Sequence, residues 1–253
     1  MNEITIECHN LTKTFGGLRA VDDVSVTFEA GKVTALIGPN GAGKTTLFHL
    51  ISGALRPDNG RIFYRGRRID GLPPWRVAQM GIGRLFQDVR VFGKLSALDN
   101  VRVAFRKQIG ENPLWSVIRR PLVNREEQTL TQEARRWLTF VGLIELENAL
   151  AEDLSYGQQK LLAIARLLAA GADVFLLDEP TAGVNPEMVR SLLALIRRLA
   201  EEGKTVVVIE HNMNVVMEIA DWCFFMDEGQ IVAFGLPDEV LGDRTVKAAY
   251  LGI

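Results

Sequence analysis

Gly38-Pro39-Asn40-Gly41-Ala42-Gly43-Lys44-Thr45-Thr46 brings together pliable backbone, a cation and two hydroxyls, and it meets the pattern G-x-x-x-x-G-K-[ST] at every fixed position. Glycines at 38, 41 and 43 carry no Cβ, so the loop can curl until successive N–H groups point inward at phosphate oxygens. A helix starting there adds the partial positive charge of its N-terminus. Lys44 would then reach the β- and γ-phosphates as a point charge, and the Thr45 hydroxyl would supply a ligand to Mg²⁺. A glycine turn that binds nothing is the plain alternative. Against it stand the flanks: Val33-Thr-Ala-Leu-Ile37 is apolar and β-branched like a buried strand, and Thr46 to Ile51 is patterned like a helix.

A second cluster of chemistry follows Val174-Phe-Leu-Leu-Asp178-Glu179-Pro180. Four apolar residues and then a carboxylate put Asp178 at the C-terminal edge of a strand, where ligands of open α/β sheets collect, so it can hold Mg²⁺ or its waters. Glu179 points elsewhere and could orient a water or accept its proton. Adjacent acids are more often a solvated turn, but here they end a strand in a chain that already has a phosphate loop. Lys204 to Ile209 reads as a further strand, with Glu210-His211 at its end. His211 could sense a γ-phosphate or fix a water, although a lone histidine is usually incidental. Gln87, in Gly83-Arg-Leu-Phe-Gln87-Asp88, draws interest only from its place between the phosphate loop and a stretch of different character.

Leu154-Ser155-Tyr156-Gly157-Gln158 precedes an apolar helix. Ser155 is either an ordinary cap on that helix or, with Gly157, part of a surface facing a phosphate on another molecule. Phe15, before Gly16-Gly17, is either a core plug or a ring exposed to stack on a base, and composition favours the plug.

These groups need elements to position them. Residues 4 to 30 alternate apolar and polar, which predicts short antiparallel strands about the Gly16-Gly17 turn. Arg61 to Tyr64 with Gly66 predicts another short strand pair. Between about 88 and 155 the pattern is helical, and residues 101 to 136 hold eight basic residues against four glutamates. Arg102, Arg106, Lys107, Arg119 and Arg120, with Phe105, Trp115 and Ile118, form either a basic amphipathic surface for a membrane or partner, or a solvated helical face. After Ala182-Gly-Val-Asn185, the pattern gives a helix from Glu187 to Ala200, and later two short strands, Cys223 to Met226 and Gln230 to Phe234.

At 253 residues and net charge −2, the chain suits one large domain or two lobes, with no global basic field to draw in nucleic acid. Cys8 and Cys223 lack metal-ligand spacing and read as structural thiols in a reducing compartment. The N-terminus has no signal-peptide pattern, and no apolar run is long enough to span a membrane.

Taken in series, GPNGAGKTT, Gln87, LSYGQ, VFLLDEP and His211 resemble the ATP-binding subunit of an ABC transporter along nearly the whole chain. The resemblance implies an α/β fold: a P-loop NTPase core with an antiparallel β-subdomain (1–87 and 156–253) and an inserted helical subdomain (88–155). It implies ATP and Mg²⁺ as cofactors, and two cassettes, alike or paralogous, closing head to tail around two ATP molecules. Carried over by position, Phe15 resembles the ring that stacks on adenine, which reverses the plug reading. Gln87 matches the glutamine that contacts Mg²⁺ and water, and Ser155, Gly157 and Gln158 match the signature that caps the γ-phosphate across the pair. Asp178 and Glu179 resemble the Walker B aspartate and the catalytic base, and His211 the switch histidine. Two positions depart from the pattern: Ala182-Gly-Val-Asn185 replaces the commoner Ser-Ala-Leu-Asp, and Asn212 follows His211 where aspartate is frequent.

Outside the ATP site, Gly83 to Phe92, the basic segment, Tyr156, Ile209 to Met217 and Ala249-Tyr-Leu-Gly252 are similar to importer subunits for branched-chain amino acids, with urea-type importers close behind. That implies a peripheral place on the cytoplasmic face of the membrane, through permease subunits and, through them, a solute-binding protein; no nucleic-acid partner is implied. A non-transport ABC ATPase would carry tandem domains or basic extensions. A small-molecule kinase would leave LSYGQ and His211 unexplained.

Overall fold

The computed structural model describes residues 3–106 and 120–251, which divide into two compact units. One holds the chain up to Gln87, Asp173–Ala182 and the chain from Arg190 onward; the other holds Asp88–Ala172 and Gly183–Val189. Lys107, Trp115, Ile118 and Arg119 lie outside the described residues.

The first unit contains two sheets. Strands β1 (Ile4–Phe15) and β2 (Leu18–Glu29) form an antiparallel hairpin. They are not the short strands that alternation predicts, since each runs twelve residues. Register shifts between Cys8 and Lys13 break the period-two pattern without ending the ladder, and Asn10 and Asp23 take positive φ there. β4 (Asn59–Tyr64) and the two-residue β5 (Arg67–Arg68) complete this sheet in the order β2-β1-β4-β5.

The second sheet carries the chemistry. β3 (Val33–Ile37), β6 (Ile82–Leu85), β7 (Val174–Asp178), β8 (Thr205–Ile209), β9 (Trp222–Asp227) and β10 (Gln230–Gly235) lie in the order β10-β9-β3-β8-β7-β6. All neighbours are parallel except β10 against β9. Every residue of β3, β7 and β8 is buried, which is why these strands read as unbroken apolar runs. Helix α1 (Lys44–Ile51) follows β3 and packs Leu47, Phe48 and Ile51 into a core with Phe28, Leu36, Leu176 and Val207. Complete burial of such side chains contributes about 1.5–3 kcal/mol each. That core fixes the start of α1 against the sheet edge.

The second unit is helical, with helices at Ala97–Arg102, Arg120–Phe140 and Tyr156–Ala169 packed on one another. Asn100, fully buried, accepts from the Phe92 amide and donates to the carbonyls of Phe92 and Ser96, tying down the chain that enters this unit. Phe105 is buried within the unit, so it does not belong to an exposed basic surface.

Candidate functional site

Four chain segments leave the carboxyl edge of neighbouring parallel strands: the glycine loop after β3, Phe86-Gln87 after β6, Glu179-Pro180 after β7 and Glu210-His211 after β8. The parallel register places them together, since Asp178 lies opposite Ile209 and Leu36 also lies opposite Ile209.

The loop's shape depends on two glycines. At Gly38 (φ 148°) a Cβ would run into the Met226 carbonyl, and at Gly43 (φ 102°) into that of Ala20. Gly38→Ala is therefore expected to destabilise the protein by about 2 kcal/mol or more, read as a lowered Tm. Lys44 is buried, and its Nζ donates to the carbonyl oxygens of Gly38 (2.7 Å) and Pro39 (2.8 Å). Burial pushes its ammonium below the ordinary lysine range, against the pull of Glu179 and Asp178. Nucleotide affinity is accordingly expected to fall with rising pH before an ordinary lysine would titrate, which ADP titrations across the alkaline range would check.

Glu179 is held at both oxygens. Gln87 Nε2 donates to Oε2 at 3.2 Å, and His211 Nε2 lies 3.2 Å from Oε1. Its own backbone takes φ 47°, a left-handed conformation that costs a non-glycine residue about 1–2 kcal/mol. The Glu179 amide donates to the Ile209 carbonyl at 3.0 Å, and the next turn is pinned by Glu210, whose buried carboxylate accepts from the Thr181 amide and hydroxyl. Sequence reading gives Glu210 no role; its only signal was a charge at the end of a buried strand.

Asp178 is paired with Arg84, Nη2 to Oδ2 at 2.9 Å, with both side chains over nine-tenths buried. Sequence reading passed over Arg84 as well. Phe15, at the end of β1, is 46% exposed and has Lys13 Nζ 5.6 Å from its ring centre, so it is not a core plug.

In the helical unit, Ser155 forms a capping box: its hydroxyl accepts from the Gln158 amide (3.3 Å) while Gln158 Oε1 accepts from the Ser155 amide (2.9 Å). Gly157 has no room for a side chain, because a Cβ would strike Met188 and crowd Val184. One residue in each of the two departures in sequence is also a cap. Asn185 Oδ1 accepts from the Met188 amide, and Asn212 Oδ1 from the Asn214 amide, a task asparagine and aspartate perform equally.

A family model described as ABC transporter matches residues 21–182. The chain belongs to the ABC transporter family. Within it, this chain is an ATPase that binds nucleotide at a P-loop core. It is 40% identical over 253 residues to the high-affinity branched-chain amino acid transport ATP-binding protein BraF of Pseudomonas aeruginosa, covering 100% of this chain and 99% of the relative. Over the same shares it is 36% identical to LivG of Escherichia coli, named for the same transport. Among solved structures, an ATP-binding cassette of an ABC transporter in its ADP conformation superposes with a TM-score of 0.84 at 33% identity over 99% of both chains. A nucleotide-free ATP-binding cassette gives 0.83 at 32% identity, covering 99% of this chain and 100% of that one. Among the described residues, no helix is long and apolar enough to cross a membrane.

Proposed function

We propose that this chain powers the import of branched-chain amino acids, as one of two cassettes that close on ATP beneath permease subunits at the cytoplasmic face of a membrane. The observation that carries the reading is the end-to-end likeness to BraF, whose name specifies that cargo. A solute-binding protein would deliver the cargo through the permease.

At the site, the amides of Gly38 to Thr46 and the Lys44 ammonium hold the phosphates, and Phe15 stacks on adenine. Thr45, Asp178 and Gln87 offer oxygen donors to Mg²⁺. They fit by chemistry: a hydroxyl, a carboxylate and an amide oxygen are the hard oxygen donors that Mg²⁺ takes, one or two from protein beside those from phosphate and water. Bound there, Mg²⁺ would neutralise charge on the phosphates. Glu179, steadied by Gln87 and His211, takes the proton of the attacking water. Ser155, Gly157 and Gln158 of the other copy cap the γ-phosphate.

The test is purification of the intact membrane complex, followed by leucine and urea uptake in vesicles loaded with ATP. ATP-dependent leucine uptake is expected. Urea uptake without leucine uptake would overturn the cargo, and a chain recovered with ribosomes in place of membrane subunits would overturn transport.

A further inference from the structure

We propose that Arg84 is a built-in counter-cation for Asp178 that loosens this site's grip on its divalent metal. The inference rests on the reading of Asp178 as a metal-holding carboxylate. Arg84 stands on β6 opposite Leu176 of β7, two residues short of Asp178, and its side chain reaches the sheet edge to place Nη2 2.9 Å from Oδ2. The guanidinium lies over the rings of Phe48 and Phe86, 5.8 and 4.9 Å from their centres.

Stability does not account for this pair. Arg84 Nε and Nη1 are buried without a hydrogen-bond partner, a desolvation cost that a better-satisfied fold avoids. Apolar residues in place of such a pair are often as stable or more so. The ion pair is also one-pronged, since Nη1 makes no second bond to the carboxylate. It offsets the charge of Asp178 while claiming a single oxygen. The cation is felt nearby as well: burial foremost, and then Arg84, hold the His49 imidazole below its ordinary range, with Asp178 pulling the other way.

Arg84 could act on metal binding in two opposite senses. Fixing the carboxylate's rotamer would tighten the metal, but freezing so short a side chain is worth a few-fold at most, roughly. A unit positive charge in contact with the liganding carboxylate, in a site shielded from water, removes much of that carboxylate's attraction for a dication. The charge effect is the larger, so Arg84 weakens the hold. A looser hold favours release of metal and product, since tight binding that is equal before and after the reaction does not raise turnover.

The probe is Mn²⁺, titrated into protein with ADP and counted by the electron paramagnetic resonance of the free ion. Arg84→Met is expected to bind Mn²⁺ about tenfold more tightly than the native protein, about 1.4 kcal/mol. Arg84→Lys, which restores the charge without the fork, should lie within about twofold of native. ADP affinity in EDTA should be unchanged in both and reports an intact phosphate loop; Arg84→Gln carries the same expectation as Arg84→Met should the latter fail to fold. Native or weaker Mn²⁺ affinity in the neutral variant overturns the inference. Asp178→Asn separates the two readings: if it leaves Mn²⁺ affinity unchanged, Asp178 is not the metal carboxylate. If it weakens Mn²⁺ binding while Arg84→Met does not tighten it, the counter-cation alone is wrong.

Discussion

Lys44→Ala is expected to reduce ATP turnover by at least about 10² to 10³ and to weaken nucleotide binding by about ten- to a hundredfold. The binding loss follows from one charge-assisted hydrogen-bond donor of about 1.5–3 kcal/mol. The turnover loss is expected to be larger because charge on the β- and γ-phosphates redistributes as the bond breaks, and Lys44 is the cation proposed to meet it. Its position is prepared: Nζ is already anchored on the Gly38 and Pro39 carbonyls of the loop that would wrap the phosphates. The bonds lost are confined to the Gly38 and Pro39 carbonyls of the loop, and the apolar core beneath it does not include Lys44. Thermal stability should therefore be kept while isothermal titration with ATP and phosphate-release assays both fall. Native affinity and turnover in this variant would sink the assignment of the loop.

Legibility in the sequence follows burial. β3, β7 and β8 were readable almost to the residue, because strands covered on both faces leave unbroken β-branched runs that end at the functional edge. The hairpin of β1 and β2 was readable in kind but not in length, because bulges interrupt alternation and residues such as Asn10 look like the end of a strand when they are not. At the candidate site, the residues proposed to meet ligand carry recognisable spacing. Those that hold them do not: Arg84 and Glu210 act through contacts 94 and 29 positions away in the chain, to Asp178 and Thr181. No local pattern encodes such a contact. The left-handed backbone of Glu179 is equally silent in sequence, since nothing in its side chain favours that conformation. Asn185 and Asn212 teach the converse: each stands where the sequence departs from a motif, and each caps a helix with its side-chain oxygen, a task aspartate could also perform.

Glu179→Gln should bind ATP normally, hydrolyse it about 10² to 10⁴ times more slowly and accumulate as a closed pair of cassettes. The amide keeps the volume of the side chain and one oxygen acceptor, so the contact with Gln87 or His211 can persist at that oxygen while the other becomes a donor. What it loses is the ability to take the water's proton. Binding should survive because other groups are proposed to carry it: the loop amides, Lys44, and a metal held at Thr45 and Asp178. With cleavage slowed, the γ-phosphate remains between Lys44 of one copy and the capped helix start at Ser155 of the other, and the pair outlives its normal turnover. Size-exclusion chromatography with Mg-ATP reads this directly, with Ser155→Arg as the variant that should prevent closure by filling the space above the first helical turn. The measurement is repeated with the partner cassette of the same importer added, so that a requirement for a paralogue shows as a mixed pair. Hydrolysis at the native rate would show that Glu179 is not the base, whatever the elution profile. Slow hydrolysis with no closed species in either mixture would retain the base but reject the bridging role given to Ser155 and Gly157.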